Sequence, residues 1–349
     1  MSGETLNKAS DVYCRGICFL THMARSGSTL LARELDRVEG VGVGIEEALP
    51  DGIVWGRPVA LHDPGQLESY LDKAFQDTKM AGWPVTKKTL RDELTRNHRF
   101  PLHFSDVLEA LLDLYFTPGR VICRIHKKGP YYLHVRQVKR LFPRARFIHI
   151  DRDPRAIYNS QKKTPRSTTG AIMAEHPITF AFQYLQAHSK MNQYADAPYF
   201  YLVRYEDLLD EPRRQMAHLL EFLGIDQKLP REKEHYYQKI PRAQQKQHVN
   251  LQEEVMPERA HAWRKELSPE EVWFLQKALR RPLQESGRQL MDIPFLGLPN
   301  KSRALRYLLL FRLKKGFKDT MPGFYRFLKG LLKKGSSADP FGSHLLHYI

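Results

Sequence analysis

Short apolar runs alternate along this chain with segments that repeat apolar residues at helical spacing. The apolar runs predict four buried strands, at Cys18–Leu20, Val121–Cys123, Phe147–Ile150 and Tyr199–Val203. The helical spacing predicts helices near Leu67–Gln76, Phe104–Tyr115, Tyr131–Leu141, Ala156–Lys162, Ile178–Asn192, Pro212–Leu223 and Ser268–Arg280. This alternation is typical of an α/β protein with a mostly parallel sheet and helices on both faces. Such sheets bind ligands at the carboxyl ends of their strands.

These elements predict one large domain with a segment on either side. We expect a flexible lead-in at residues 1–15, a domain over 16–298 and a basic C-terminal extension over 299–349. Within the domain, residues 50–103 are rich in Pro, Trp and charge. Apart from the helix near Leu67–Gln76, they predict irregular structure that would face a substrate.

The stretch from Cys18 to Leu31 predicts a buried strand, a tight turn and the start of a helix. The residues of the turn and the first helical position are Arg25, Ser26, Gly27, Ser28, Thr29 and Leu30. Free backbone N–H groups converge at a helix start, and the helix dipole favours negative charge. Gly27 lets the backbone approach an anion closely, and Arg25 adds a guanidinium. The sequence therefore predicts an anion-binding loop.

Further cations follow the other predicted strands. Lys128, Arg152 and Tyr205 each lie just beyond a predicted strand end, as Arg25 does. Because parallel strands end at one edge of a sheet, we expect these four side chains to share that edge. Ser160 lies eight residues after Arg152 on a helix that Pro154 begins, so both could hold one phosphate.

Three of these motifs resemble the binding motifs of sulfotransferases that use 3′-phosphoadenylyl sulfate (PAPS), of the bacterial and carbohydrate type. The sequence RSGSTLL resembles their 5′-phosphosulfate loop, and Arg152 with Ser160 resembles their 3′-phosphate site. The stretch RYEDLLDEPRR is similar to a family segment that would place Tyr205 near the adenosine. A looser similarity around HAWRKELSPEE implies that Arg264 and Lys265 close over the cofactor. The resemblance covers roughly residues 17–280.

The resemblance implies a P-loop-like fold and metal-independent, in-line transfer of a sulfuryl group from PAPS to an acceptor hydroxyl. The products would be a sulfated acceptor, with a carbohydrate or glycolipid favoured, and adenosine 3′,5′-bisphosphate. Arg25 and the loop would stabilise the leaving phosphate, and Lys128, in a Lys-Gly-Pro sequence, would stabilise the bridging oxygen.

The catalytic base is left open among three residues. Similarity to protein-tyrosine sulfotransferases aligns their catalytic glutamate with Glu46 without gaps, and Glu47 is the immediate alternative. His126 is the third candidate because cytosolic sulfotransferases use a histidine at this strand end. Here it precedes two lysines, which breaks that motif and favours a solvent-facing histidine.

Composition adds one strong feature, a formal net charge of +16. Residues 301–334 hold eleven Lys or Arg residues and one Asp, with apolar residues recurring between them. They predict two basic amphipathic helices joined at Met321–Gly323, which would lie on an anionic membrane or else pack on the sheet. Because the excess charge is concentrated in one segment, we expect no nucleic-acid partner.

The remaining composition predicts where the protein works. Its three cysteines, Cys14, Cys18 and Cys123, are too few for a disulfide framework. Cys18 and Cys123 lie in apolar runs and predict core thiols, which suits a reducing compartment. The N-terminus lacks a signal h-region, and no 18-residue uncharged apolar run occurs. We therefore expect a cytoplasmic protein, which would be peripheral at the inner membrane face if residues 301–334 bind lipid.

Two other functions compete with sulfuryl transfer. A P-loop kinase requires a Gly-Lys-Ser/Thr sequence, which the loop lacks. A basic nucleic-acid-binding protein requires basic and aromatic residues interleaved over one face of the fold. The acceptor and the oligomeric state stay open.

Overall fold

The computed structural model describes residues 16–53, 58–77, 79–116, 121–166, 169–225 and 257–320, without the side chains of Ala81 and of residues 317–320. These residues form two compact units. The first holds the described residues up to Arg152 and those from Lys190 to Pro257. The second holds Asp153–Ser189 and the described residues from Glu258 onward. Cys14 and the predicted lead-in lie outside the described residues.

A five-stranded sheet forms the centre of the first unit. Its strands are β1 (Ile17–His22), β2 (Val41–Gly44), β5 (Cys123–Lys127), β6 (Arg146–Asp151) and β7 (Phe200–Arg204). Their order is β2-β5-β1-β6-β7, and every neighbouring pair is parallel. Their carboxyl ends therefore meet at one edge, which confirms the α/β fold predicted from the sequence. Cys18 and Cys123 are both buried within this sheet.

The second predicted strand was placed too early in the chain. Val121–Cys123 was expected, but β5 runs from Cys123 to Lys127, and Ile122 is 47% exposed. The register pairs Phe19 with His126 and Leu20 with Lys127, so both polar residues belong to the strand. The apolar run ends before the strand does because β5 is polar where it reaches the ligand edge.

The first unit also contains helices and a small second sheet. The helices are α1 (Ser28–Asp36), α2 (Pro64–Phe75), α3 (Lys87–Asn97), α4 (Phe104–Tyr115), α5 (Val135–Leu141), α8 (Tyr205–Asp210) and α9 (Pro212–Leu223). β3 (Ala60–Leu61) and β4 (Leu102–His103) form an antiparallel pair. The predicted helix at Phe104–Tyr115 is confirmed to the residue. The helix predicted over Tyr131–Leu141 is instead a 3₁₀ turn at Gly129–Leu133 followed by α5.

The expectation of irregular structure around α2 was wrong for α3. Thr86 caps this helix by accepting a hydrogen bond from the Thr89 N–H, and the Thr89 hydroxyl accepts one in return from the Thr86 N–H. Leu90 and Leu94, one turn apart, are the residues it buries. Two apolar positions among nine polar ones give too weak a period to predict a helix, although the cap and the buried pair suffice to form one.

The second unit is helical in its described part. Its elements are α6 (Pro154–Gln161), most of α7 (Pro177–Asn192), α10 (Trp263–Glu266), α11 (Pro269–Ala278), α12 (Arg280–Glu285) and α13 (Lys301–Thr320). Ser268 caps α11 in a reciprocal capping box with Glu271, at the position predicted. Where two basic helices were predicted, α13 is one helix as far as Thr320, and residues 321–334 lie outside the described part. No helix in the described ranges is long and apolar enough to cross a bilayer.

Candidate active site

The predicted anion-binding loop joins β1 to α1 in the first unit. Gly27 occupies the N-cap position of α1 with φ 97°, and Arg25 has φ 71°, so both have left-handed backbone conformations. Gly27 has no side chain with which to cap this helix end. The first N–H groups of α1, at Ser28 and Thr29, therefore need partners from outside the helix, and an anion would supply them.

Ser26 supports the same conclusion. Its backbone N–H donates to the Met23 carbonyl at 3.2 Å, which closes the turn. Its Oγ is fully buried and has no hydrogen-bond partner among the described residues. A buried hydroxyl without a partner is costly unless a bound group satisfies it. The loop thus fits a phosphate or sulfate group.

Gly27 also has no space for a side chain. A Cβ built on it would lie 2.3 Å from Cδ2 of the Tyr205 ring, which follows β7. This contact places the start of α8 against the loop. The glycine is therefore required both by its backbone angle and by the aromatic ring beside it.

We expect Gly27→Ala to destabilise the protein. The left-handed backbone costs a residue with a side chain about 1–2 kcal/mol, and displacing the Tyr205 ring adds to that cost. The matched control is Gly170→Ala, where φ is also positive, at 71°, but nothing lies within 4 Å of the built Cβ. Thermal unfolding should show the larger loss for Gly27→Ala, and equal losses would contradict a tight Tyr205 contact.

Two arginines lie beside the loop. The Arg152 Nη1 donates to the Arg25 carbonyl at 3.2 Å, and the Arg152 guanidinium lies 4.4 Å from the centre of the Tyr205 ring. Burial lowers the pKa of Arg25, and the charge of Arg152 lowers it further. Two cations held this close repel each other, and a dianion between or beside them would relieve that repulsion. The structure thus brings Arg25, Arg152 and Tyr205 together as predicted.

Lys127 is a candidate site residue that the sequence patterns did not indicate. This buried lysine ends β5 and donates from Nζ to the Thr29 Oγ1 of the loop at 3.2 Å. The same Nζ lies 3.5 Å from the Glu46 Oε1. Burial lowers the pKa of Lys127, and Glu46 opposes that shift. One ammonium thus connects the anion loop to the first candidate base.

Glu46 lies among three basic groups. Besides Lys127, its carboxylate lies 3.3 Å from the His22 Nε2 and 3.3 Å from the Lys79 Nζ, and its side chain is 26% exposed. Burial alone would raise the pKa of Glu46, but Lys127, His22 and Lys79 hold it well below the usual range. The carboxylate is therefore ionised and remains in reach of a ligand.

Glu47 is placed differently, with no exposed side-chain surface. It accepts a hydrogen bond from the Lys128 Nζ at 2.5 Å, another from the Leu49 N–H, and lies 3.3 Å from the His126 Nε2. Burial favours a higher pKa for Glu47, but Lys128 and His126 lower it to about 2. Glu47 and Lys128 thus form a largely buried ion pair.

The expectation that His126 faces solvent was wrong. It is fully buried and packs edge-on against Phe19 at 5.7 Å between ring centres. The register of β5 explains this, since His126 lies inside the strand rather than after it. Neither His126 nor Glu47 is exposed enough to meet an acceptor.

The other predicted site residues belong to the second unit. Ser160 is half-buried near the end of α6, and Arg264 and Lys265 are exposed on α10. Arg155 lies three residues after Arg152, but its contacts lie within the second unit and give it a structural role there. It is buried, contacts Asp153 at 2.7 Å and Gln276 at 2.8 Å, and lies over the Trp263 ring.

The described residues contain no group of three or more His, Cys, Asp or Glu side chains placed to hold a metal ion. The four residues predicted at the strand ends, Arg25, Lys128, Arg152 and Tyr205, do follow β1, β5, β6 and β7. An edge with an anion loop, paired arginines and an ionised carboxylate is suited to transferring a charged group to a nucleophile.

Comparison with known proteins assigns the class. The model of the sulfotransferase family matches residues 18–229, and the chain belongs to this family. Curated relatives include the omega-hydroxy-beta-dihydromenaquinone-9 sulfotransferase Stf3 of Mycobacterium tuberculosis and of Mycobacterium bovis, each 27% identical over 171 residues. That alignment covers 46% of this chain and 39% of the relatives, so the chain spans well under half of their length.

Solved structures support the same fold. The sulfotransferase domain of the Synechococcus PCC 7002 olefin synthase has a TM-score of 0.55 at 20% identity, with 80% of this chain and 95% of that one covered. The sulfotransferase domain of the curacin biosynthetic pathway has a TM-score of 0.53 at 16% identity, covering 79% and 98%. The resemblance and the fold predicted from the sequence are thereby confirmed.

Proposed function

We propose that this sulfotransferase moves a sulfuryl group from PAPS to an acceptor hydroxyl at the carboxyl edge of its sheet. One observation carries the proposal. The Lys127 ammonium lies within 3.2 Å of the Thr29 hydroxyl and 3.5 Å of the Glu46 carboxylate. The group that leaves and the group that accepts a proton would then lie on either side of one cation.

The loop and its neighbours would bind the donor. The N–H groups at the start of α1, the Ser26 hydroxyl and Arg25 suit the 5′-phosphate, because each presents a donor or a positive charge to one place. Tyr205, with Arg152 stacked on it, offers an aromatic face for the adenine. Arg152 and Ser160 are our proposed 3′-phosphate ligands, and Arg264 and Lys265 remain proposed as closing residues.

PAPS, when bound, supplies the sulfuryl group. During transfer the acceptor oxygen bonds to sulfur as the bond from sulfur to the 5′-phosphate oxygen breaks, so negative charge builds on the leaving oxygen. Lys127 and Arg25 would stabilise that charge. The Lys128 ammonium contacts Glu47 instead, which favours Lys127 over the lysine predicted from the sequence for this role.

Glu46 is our proposed base for the proton of the acceptor hydroxyl. Of the three candidates left open by the sequence, it is the one with an exposed side chain, at 26% against 0% for both Glu47 and His126. Its carboxylate is ionised at neutral pH, as a proton acceptor must be. Glu47 is ionised as well, so exposure is the property that favours Glu46.

For the acceptor, we propose a hydroxyl on a lipid-linked molecule such as a glycolipid, with a free saccharide as the alternative. Support comes from the Stf3 relatives, whose name assigns them a hydroxylated menaquinone. Incubation with radiolabelled PAPS and separate lipid and saccharide panels decides between the two. Label in the lipid phase is expected, and label confined to water-soluble saccharides would overturn the lipid assignment.

Donor binding is tested by calorimetry with adenosine 3′,5′-bisphosphate in the presence of a metal chelator. We expect binding that Arg152→Ala weakens by about 10–150-fold, because charge-assisted hydrogen bonds contribute about 1.5–3 kcal/mol. Arg140→Ala, at an exposed position near the end of α5, is the matched control and should leave affinity unchanged. Equal affinity of both variants would refute the assignment of Arg152. Tighter binding of ATP with Mg²⁺, titrated separately without the chelator, would favour a kinase.

A further inference from the structure

The C-terminal helix α13 of the second unit has an exposed row of leucines. Leu305, Leu309 and Leu313 are 55%, 56% and 62% exposed. Successive leucines of the row are four residues apart, so the three side chains share one face of the helix. Three large apolar residues aligned in water are unusual for a helix that already has a buried face.

That buried face lies elsewhere on the same helix. Ala304 and Phe311 are buried, and the Phe311 ring packs 4.7 Å from Phe182 and 5.8 Å from Phe274. Tyr307 packs 5.7 Å from Phe274. α13 therefore attaches to its unit through one face and presents the leucines on another. The spacing of apolar residues in the sequence does not distinguish these two faces.

The charged residues of α13 near the leucine row are all cations. Between residues 301 and 316 the helix carries six Lys or Arg residues and no Asp or Glu. Arg306 and Arg312, each adjacent in sequence to a leucine of the row, are both exposed. Apolar residues with cations beside them match a bilayer that has anionic head groups.

A cleft lies next to the row, lined by His176, Ile178, Arg303, Arg306, Tyr307, Leu310 and Lys314. Three of these residues are cations, and no carboxylate belongs to the lining. Glu270 interacts electrostatically with Arg303, so the net charge is smaller than three cations alone would give. Arg306 lines the cleft and also lies next to the leucine row. Ile178 and Leu310 add apolar surface beside the cations, which suits a phosphate attached to a lipid.

We propose that α13 docks the protein on an anionic bilayer. The row of Leu305, Leu309 and Leu313 enters the interface, and the cleft beside it holds the phosphate of a lipid head group. The helix lies in the plane of the membrane, because six cations prevent it from spanning. This goes beyond the proposed function, since sulfuryl transfer does not require it.

The test is flotation of the full chain with phosphatidylcholine vesicles, with and without phosphatidylglycerol, at low and high salt. We expect flotation with the anionic vesicles at low salt. The triple variant Leu305→Gln, Leu309→Gln and Leu313→Gln should lower it about tenfold or more, while the triple Leu→Phe variant keeps it. The paired variant Leu114→Gln and Leu202→Gln, at exposed leucines of the first unit, is the control and should float like the unaltered protein.

The role of the cleft is tested separately from that of the leucine row. Arg306→Gln should reduce the preference for anionic vesicles without abolishing the leucine contribution. If inorganic phosphate binds the cleft but the unaltered protein does not float with vesicles, the proposal is overturned. The cleft would then bind a free anion. Failure of the unaltered protein to float would likewise overturn the proposal, and light scattering would show whether a second copy covers the row. Thermal unfolding checks that each variant is folded.

Discussion

Replacing Glu46 with glutamine is expected to lower kcat by about 10²–10⁴-fold, the usual contribution of a general base. Glutamine keeps the size of the side chain but does not accept the proton of the acceptor. Binding of adenosine 3′,5′-bisphosphate should change little, because the contacts of the Glu46 carboxylate are with Lys127 and its neighbours, whereas Lys127 itself contacts Thr29 of the loop. Single-turnover transfer and calorimetry on the same preparation separate these two effects.

Glu47→Gln is the informative comparison. Glu47 is fully buried and paired with Lys128, so removing its charge leaves a buried ammonium without its partner, at a cost of about 3–5 kcal/mol in the free energy of unfolding. We therefore expect a loss of stability in this variant. If Glu46→Gln stays active while a folded Glu47→Gln does not, the base is Glu47.

Lys127→Gln is expected to reduce kcat by about 10²–10³-fold, as removal of one group that stabilises developing charge does. Lys128→Gln decides which of the two lysines serves the leaving group. The larger loss of kcat is expected for Lys127→Gln, because Lys127 contacts the loop at Thr29 and Lys128 contacts Glu47. A larger loss in a folded Lys128→Gln would support the assignment made from the sequence.

The pH profile gives a second readout for Lys127. Among the charges near Glu46, Lys127 contributes most to holding the pKa of that carboxyl low. A base must be ionised, so activity falls as the pH drops through the pKa of Glu46. Removing the Lys127 charge raises that pKa, and the acid limb of kcat/KM should move to higher pH. An acid limb that stays in place in Lys127→Gln would show that the titrating base is not Glu46, because the Lys127 charge acts on that carboxylate.

Most of the fold was predictable because the spacing of apolar residues along the sequence shows which side chains are buried. The strands around Cys18–Leu20 and Phe147–Ile150 are apolar since they lie in the middle of the sheet, and both were found. β5 was misplaced because its last residues, His126 and Lys127, are polar side chains buried by partners far away in sequence. No local pattern contains that information.

In the candidate site, too, some features follow from the sequence and others depend on contacts between distant segments. The loop and the residues after each strand follow from topology, so Arg25, Arg152 and Tyr205 were placed at one edge from the sequence. Lys127 was missed because the Lys-Gly-Pro resemblance pointed to Lys128, and the predicted strand ended at Cys123, before either lysine. The contact of Tyr205 with Gly27 could not be predicted either, since it depends on how two segments meet in space.

The most direct test of the proposed activity is transfer of radiolabelled sulfate from PAPS by the full chain, in the presence of a metal chelator, to a panel of hydroxylated lipids and saccharides. We expect labelled product together with adenosine 3′,5′-bisphosphate, and loss of nearly all label with Glu46→Gln at unchanged donor affinity. Undiminished transfer by Glu46→Gln, or no transfer by a protein that binds adenosine 3′,5′-bisphosphate across the whole panel, would contradict it.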